Sequence, residues 1–442
     1  MIAVLLHPVF GRLFAAQVVA LLGTGLLTVA LGLLAYELAG ARAGVVLGAA
    51  LTIKMVAYVG LSPVLGALVA HWPRKAVLVG TDLVRAAVAL CLPFVSEVWQ
   101  VYALVFVLQA ASATFTPAFQ ATIPDVLPEE EDYTRALSLS RLAYDLENLL
   151  SPALAGVLLL VMSFHWLFLG TVTGFLGSAV LVLSVALPRT EPRRQRPFRE
   201  RLTRGIRIYL ATPRLRGLLA LNFAAAAVGA FVLVNSVVIV RGVYGGSEAD
   251  LALAMAGFGG GSMVMALVLP QLLHRVSDRR VMMQAGAGLS MLALAAGLFV
   301  VLLDAPGWRV FWLSWVAVGA LYAAVLTPAG RLLRRSAHEE DRPAIFAAQF
   351  ALSHACWLIA YPFAGWAGAT LGLGAALALA GAAGVVAVVL AGRFWPEGSG
   401  APIVHEHPDL PPDHPHLKAH GGRRHAHVFV IDDEHRAWPT QG

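Results

Sequence analysis

The chain is divided, almost from end to end, into apolar segments long enough to cross a lipid bilayer. About twelve can be marked out, each near the roughly 20 residues that a helix needs to span the hydrocarbon core. They run Phe10–Ala39, Gly44–Ala70, Val77–Val95, Val98–Phe119, Ser138–Met162, Trp166–Leu187, Leu218–Val240, Leu251–Leu273, Val281–Leu303, Val310–Ala329, Ile345–Thr370 and Leu373–Leu390. A backbone in lipid must satisfy its own hydrogen bonds, so runs of this length are expected as helices. The fold class expected is an all-α polytopic membrane bundle in two six-helix halves. Composition agrees: 58% of the residues are hydrophobic and only 13% charged, too few charges to coat a soluble protein.

A formal net charge of +6 would by itself suit a nucleic-acid partner. Its distribution argues otherwise. Arg74-Lys75, Arg189 to Arg216, Arg275 with Arg279-Arg280, and Arg331 to Arg342 all fall in alternate loops, against Arg42, Arg241 and Arg309 on the other side. The positive-inside rule then places the basic loops and both termini in the cytoplasm of a multi-pass inner-membrane protein, with no nucleic-acid role. The longest basic connection, 188–216, separates an N-terminal half (1–187) from a C-terminal half (217–392) and precedes by some distance a tail (393–442). Its amphipathic part, Phe198 to Leu210, reads either as a surface-lying helix or as a solvated linker that fixes topology. Two halves joined in this way suggest a parallel repeat, with a faint echo when Pro152 is aligned with Pro362. Cys91 and Cys356 lie in apolar segments and imply no disulfide framework. The apolar stretch within Met1 to Ala39 is too long for a signal-peptide core and reads as a retained first helix.

The fifth segment carries the densest polar cluster. On a helix, Arg141, Asp145, Asn148 and Pro152 share one face, with Tyr144 and Ser151 beside it and Glu147 at its edge. Pro152 also frees a carbonyl near Asn148. Ionisable groups in lipid are costly and usually face an interior path. Asp145 and Asn148 can therefore reach one bound ion while Glu147 exchanges protons. The plainer alternative is that Arg141 simply neutralises Asp145 one turn away.

The eleventh segment offers Gln349, His354 and Cys356. His354 shares its face with Phe350, Trp357 and Tyr361, whereas Cys356 shares its face with Gln349 and Ser353. Two positions along a helix is about 200° of rotation, so His354 and Cys356 do not chelate together; one face lines the cavity and the other packs. Lys54 lies deep in the second segment, too far from either end to be decoration, and one reading pairs it with a carboxylate of the bundle. Asn222 and Asn235 read as interhelical hydrogen-bonding groups. Gly257-Phe-Gly-Gly-Gly261 lacks the Lys-Ser/Thr ending of a phosphate loop, and no nucleophile–base pair stands out, so an enzyme is not expected.

The tail is rich in Pro, Gly and charge and is expected to be disordered. It holds His405-Glu-His407, His414-Pro-His416 and His425-Ala-His427, with His420 and His435 nearby. Alternate residues of an extended chain point the same way, so each pair can offer two imidazoles to one ion, and Asp409, Asp413, Asp432 and Asp433 add oxygens. Imidazole suits nickel, zinc, copper and cobalt alike.

Between the second and third segments the chain reads Gly66-Ala-Leu68-Val-Ala70-His71-Trp72-Pro73-Arg74-Lys75. This resembles the signature loop of the major facilitator superfamily, with Ala70 where an Asp is usual and Pro73 where a Gly is usual. Asp82-Leu-Val-Arg85-Ala86 and Phe119-Gln120-Ala121-Thr-Ile-Pro124-Asp125 are similar to the branch that holds macrolide and siderophore exporters. Asp82 and Arg85 either replace the missing gate contact or form a helix-end ion pair. Within that branch, the fifth-segment motif, Phe346-Ala-Ala-Gln349-Phe-Ala-Leu-Ser353-His354-Ala-Cys356-Trp357 and the His-rich tail together resemble the NreB-like nickel-resistance exporters. The resemblance implies a major-facilitator fold, in which the second and eleventh helices are neighbours so that Lys54 approaches His354 or the cavity, and proton-driven export of divalent nickel or cobalt. On that expectation the metal ion is cargo, no resident cofactor is needed, and the partners are lipid, divalent metal ions and protons. The competing expectation is a macrolide-like drug or siderophore exporter whose tail buffers metal incidentally.

Overall fold

The computed structural model describes the chain apart from residues 1, 62–64, 66–71, 130–131, 133–134, 137–138, 141–142, 144–146, 148–150, 152–153, 188–197, 339–340, 399–401, 408–410, 412–413, 421, 433, 436–437 and 440–442. Gly66, Arg141, Asp145 and Asn148 thus lie outside the described residues. Among the described residues, 10 continuous stretches are long and apolar enough to cross a membrane. The first of them, Pro8–Leu61, contains two helices, Pro8–Ala39 and Ala43–Val56, joined by a short turn at Gly40–Arg42. The fifth segment is helical at its described positions from Leu139 to Leu159, including Glu147, and turns at Leu160 to Met162, where the sequence had extended the helix.

The remaining spans are Arg74–Cys91 (third), Val98–Val126 (fourth), His165–Leu183 (sixth), Pro213–Val238 (seventh), Glu248–Arg275 (eighth), Asp278–Leu303 (ninth), Trp308–Leu326 (tenth), Arg342–Thr370 (eleventh) and Leu373–Phe394 (twelfth). Their ends carry ordinary stop and start signals. Ser247 caps the eighth helix in a capping box with Asp250, and Ser277 caps the ninth. Gly372, at φ 87°, makes the turn between the eleventh and twelfth helices in a conformation that L side chains avoid.

The first helix packs on the sixth, the third on the fourth and sixth, the seventh on the eleventh and twelfth, the eighth on the tenth, and the ninth on the twelfth. The second helix crosses to the eleventh and the seventh. That crossing depends on bare backbone: a Cβ on Gly365 would stand 2.5 Å from the Gly44 carbonyl oxygen. Asn235 donates to the Ala364 carbonyl at 3.0 Å in the same region, so this buried amide is satisfied between helices. Large apolar side chains such as Leu160, Val180, Leu267, Leu302 and Val389 point outward and are mostly exposed, as a lipid-facing belt requires.

Two expectations about the connecting regions change. The amphipathic stretch forms a helix, Phe198–Ala211, that is neither a free linker nor laid on lipid alone: it packs on the eleventh helix. Arg204 holds Asp341 through two hydrogen bonds of 2.6 and 3.0 Å, and the Tyr209 hydroxyl donates to Gln349. The tail is ordered where it is described. Pro402–Glu406 (β1) and Arg424–Val428 (β2) form an antiparallel hairpin, with a short helix, Pro415–His420, between them. The apolar run Val428 to Ile431 anchors it: Phe429 and Ile431 are buried in the same core as the helices of the C-terminal half.

Candidate functional site

Two clusters of polar side chains stand out, one inside the bundle and one in the tail. The inner one begins with the second helix, which passes into a π-helical turn at Ala57–Leu61. Such turns re-aim side chains and often mark functional positions. Half-buried Lys54 lies one turn before Tyr58. The Tyr58 ring stacks on His354 of the eleventh helix, with centroids 5.6 Å apart, and touches Phe350 at 5.9 Å. Its hydroxyl lies beside the Thr116 side chain of the fourth helix and within the fields of Arg85 and Glu147. Lys54 is the described charge that acts on Glu147. The second, fourth, fifth and eleventh helices therefore bring Lys54, Glu147, Tyr58 and His354 to one region. Tyr58 was not anticipated, although it sits at i+4 from Lys54 and hence on the same face.

His354 Nδ1 bonds with the Phe350 carbonyl at 2.7 Å, which leaves Nε2 as the outward nitrogen. Gln349 and Cys356 are turned away from this region. Gln349 is committed to Tyr209 of the connecting helix, and Cys356 is buried with its thiol on the Leu352 carbonyl at 3.4 Å. The eleventh helix thus packs with the Gln349–Cys356 face and presents His354 to the second helix.

Asp82 and Arg85 are an interior pair and not a helix-end one. They bond to each other, Ser178 of the sixth helix donates to Asp82 at 2.7 Å, and the guanidinium lies between the rings of Phe115 (4.2 Å) and Phe175 (4.5 Å). At the basic-loop end a different contact appears: Arg74 pairs with Asp125 of the fourth helix at 3.2 Å. Lys75 donates to the Leu183 and Val185 carbonyls at 2.7 and 2.9 Å, closing the end of the sixth helix. Replacing Arg85 by Ala strands a buried carboxylate, so a loss of roughly 3–5 kcal/mol is expected. Thermal unfolding in detergent measures this, and Asp82→Asn combined with Arg85→Leu should regain most of it.

The tail cluster is built by the hairpin register. His405 pairs directly opposite His425 in the ladder, and His427 lies opposite Ile403. Period-two alternation puts all three imidazoles on one face. His407 follows β1, His416 comes from the short helix, and His435 returns beyond β2. Two four-histidine groups result, His405–His416–His425–His427 and His405–His407–His416–His435, each with its nitrogens within 4.8 Å of one another. Asp432, Glu434 and His435 form a third group of the same compactness. His414 lies beside Glu434 at 3.7 Å, outside both imidazole groups. The side chain of His420 lies outside the described residues.

The hydrogen bonds fix which nitrogen faces inward. Nδ1 of His405 meets the Ile403 carbonyl at 2.9 Å, that of His425 meets Gly422 at 2.7 Å, and that of His427 meets Val428 at 3.0 Å. Nδ1 of His435 meets Asp432 at 2.9 Å, and that of His416 meets Glu434 at 3.1 Å. These oxygens accept, so each Nδ1 carries a proton, and wherever the ring is neutral its Nε2 is left with a lone pair. Yet the Nε2 atoms of His405 and His435 stand 3.1 Å apart, and those of His416 and His425 3.0 Å apart. Nε2 of His407 is buried with no hydrogen-bond partner. Facing lone pairs repel unless a cation lies between them. Nitrogens bound at roughly 2.0–2.1 Å to one ion fall about 3 Å from each other, which fits this spacing. Burial, reinforced by the neighbouring imidazoles, pushes the pKa of His405 and of His407 below the ordinary histidine value. Burial alone would raise Asp432, but hydrogen bonds from the His435 ring and backbone and from the Glu434 N–H hold its carboxyl down at about 2.

The cluster is tied to the helices. Asp432 reaches His338, after the tenth helix, at 3.2 Å with its other oxygen. Arg214, at the start of the seventh helix, donates to the Ser336 hydroxyl and the Arg335 carbonyl at 2.8 Å and to the Phe429 carbonyl at 3.4 Å, with its guanidinium 5.7 Å from the Trp438 ring.

The sequence is 25% identical over 279 residues to the uncharacterized MFS-type transporter YfiS of Bacillus subtilis (strain 168), covering 61% of this chain and 65% of that protein. It is 28% identical over 191 residues to macrolide efflux protein A of Streptococcus pyogenes, covering 42% of this chain and 46% of that protein. The chain therefore spans less than two thirds of the length of either relative. The fold is similar to the crystal structures of a D-xylose-proton symporter (TM-score 0.66, 14% identity, 89% of this chain and 98% of that one) and of the nucleoside transporter NupG in its D323A form (TM-score 0.65, 14% identity, 88% and 100%). The description of the Major Facilitator Superfamily matches residues 13–283 and 217–425. With that match, the helical bundle and the likeness to known transporters, the chain belongs to the Major Facilitator Superfamily and is a multi-pass membrane transporter, not an enzyme.

Proposed function

We propose that this transporter exports a divalent first-row transition-metal cation, nickel or cobalt, from the cytoplasm in exchange for protons. The observation that carries the reading is the pair of imidazole contacts at 3.0 and 3.1 Å, in which two lone pairs face each other when both rings are neutral. A proton relieves one such contact, whereas a metal ion relieves several at once and prefers all-imidazole donors. A chain that concentrates six such rings beside the basic-loop end of a transporter is suited to collecting its cargo there. With the basic loops taken as cytoplasmic, the tail faces the compartment from which an exporter loads. Inside the bundle, Glu147 is the candidate proton carrier, with Lys54 the cation that competes for it and His354 the candidate nitrogen ligand.

A second reading, export of a macrolide-like molecule, draws support from the likeness to the macrolide efflux protein and from an apolar cleft lined by Phe231, Tyr244, Phe299, Phe311 and Trp315. Growth of a metal-sensitive host on nickel, cobalt, zinc and copper salts, and on a macrolide, separates the two. Ending the chain at Phe394 should lower the metal concentration tolerated yet leave residual efflux. Complete loss by a truncated chain that inserts normally would count against an auxiliary role for the tail.

A further inference from the structure

The six imidazoles of the tail surround one point. His405 has His407, His425, His427 and His435 around it, with ring centroids 4.6–5.0 Å away. His416, from the short helix, meets the same four at 4.8–5.2 Å. Those four close a ring of their own, His407 to His425 to His427 to His435 and back, at 4.8–5.3 Å a side. His405 and His416 therefore face each other across a square, in which His407 stands opposite His427 and His425 opposite His435. Six directions in three opposed pairs are the corners of an octahedron. The two four-histidine groups are overlapping parts of it that share the axis from His405 to His416.

The nitrogens agree with the rings. Six ligands at roughly 2.1 Å from one ion stand about 3.0 Å from their neighbours and about 4.2 Å from their opposites. The Nε2 atoms of two adjacent pairs, His405 with His435 and His416 with His425, are 3.1 and 3.0 Å apart. Within each group of four, the opposed His405 and His416 included, the nitrogens lie within 4.8 Å of one another. Ring centres lie further out along the same directions, hence their wider spacing. On five of the rings Nδ1 is already engaged, by Ile403, Glu434, Gly422, Val428 and Asp432, so Nε2 is the nitrogen left to give. On the sixth, His407, Nε2 is buried with no hydrogen-bond partner. A four-coordinate ion would leave two of the six nitrogens unmet inside the cluster, which is costly; a six-coordinate ion meets them all.

Building on the metal reading above, we propose that the tail is one octahedral site, which holds a single divalent ion by six neutral imidazoles and selects nickel(II) or cobalt(II) over zinc(II). Nickel(II) and cobalt(II) have partly filled d shells that an octahedral field stabilises. Zinc(II) is d10, gains nothing from such a field, and settles with four ligands. Imidazole as a donor type treats these ions alike; the number and placement of the imidazoles do not. Asp432 and Glu434 stand outside the six as positioning residues. They accept from Nδ1 of His435 and His416 and keep the Nε2 atoms aimed at the centre.

The test uses the full chain in detergent. Competition with a chromophoric chelator gives the nickel(II) and zinc(II) affinities of the parent and of six single variants, in which each of the histidines is changed to Asn in turn. The absorption spectrum of the cobalt(II) form gives the coordination number. A full chain carrying all six changes is the blank, so ions held in the bundle cancel in the difference. Every single change should lower nickel affinity by about 10-fold or more. Zinc affinity should fall less, because zinc needs only four of the rings. The cobalt form should show the weak, pale bands of a six-coordinate ion. If His407→Asn and His435→Asn are both silent, or His425→Asn and His427→Asn are, the site is a four-histidine one and the octahedral proposal is overturned while the metal reading stands. Intense blue bands of four-coordinate cobalt would overturn it in the same way. Equal nickel affinity in the parent and the blank would overturn both. A variant that only loses the hairpin lowers nickel and zinc alike; the cobalt spectrum of the parent needs no single substitution and decides in that case.

Discussion

Glu147→Gln should reduce efflux driven by a pH gradient to background while leaving binding of the metal measurable and nearly independent of pH. The half-buried carboxylate is the described acidic group that lies under the field of Lys54, next to the Tyr58–His354 stack. A carboxylate inside a bundle gains or loses a proton as its surroundings open to either side, which is what exchange for protons requires. The loss expected is about 100-fold or more, the scale on which removal of a proton-transfer group is felt. Lys54→Met with Glu147→Gln decides between this and a purely structural ion pair. If the two groups only neutralise each other, the double change restores pH-driven efflux that each single change loses. If Glu147 carries the proton, the double variant inserts and folds but remains uncoupled. Parallel flux assays on vesicles, with and without an imposed pH gradient, read the difference.

The second large effect concerns the tail histidines. His405→Asn with His416→Asn removes the two rings common to both four-histidine groups and should weaken tail binding by more than about 100-fold. Acid should do the same to the parent protein, but late. His405 and His407 have pKa values lowered by burial and by their imidazole neighbours. A lowered value keeps the ring neutral and able to bind at pH values where an ordinary histidine, near 6.5, has begun to protonate. Metal retention should therefore be full above that range and fall away only as the pH drops through the lowered values. A midpoint above about 6.5 would contradict the buried cluster.

The bundle was legible because lipid leaves a chain few options: each apolar run must close its own hydrogen bonds, and alternate basic loops mark its ends. The second and eleventh helices were placed as neighbours only through the resemblance; their contact rests on Gly44, Gly48 and Gly365, whose meaning emerges once the backbones are side by side. Tyr58 was missed although its spacing from Lys54 announced a shared face. The roles of Gln349 and Cys356 could not be read locally, since what claims that face is Tyr209, 140 positions from Gln349. The tail was misjudged for a physical reason. Its average composition is that of a disordered segment, but Val428 to Ile431 is a short apolar anchor, and two His-x-His stretches in strand register bury one another. Averages over a window hide both.

The central claim, that the cargo is a divalent metal ion, is tested most directly by purified protein in sealed liposomes with a metal-responsive dye inside and an imposed pH gradient. The account predicts gradient-driven accumulation of nickel or cobalt that disappears in Glu147→Gln and persists, with a higher concentration for half-maximal rate, in His405→Asn/His416→Asn. Movement of a labelled macrolide under the same gradient, with no movement of any of nickel, cobalt, zinc or copper, would contradict it.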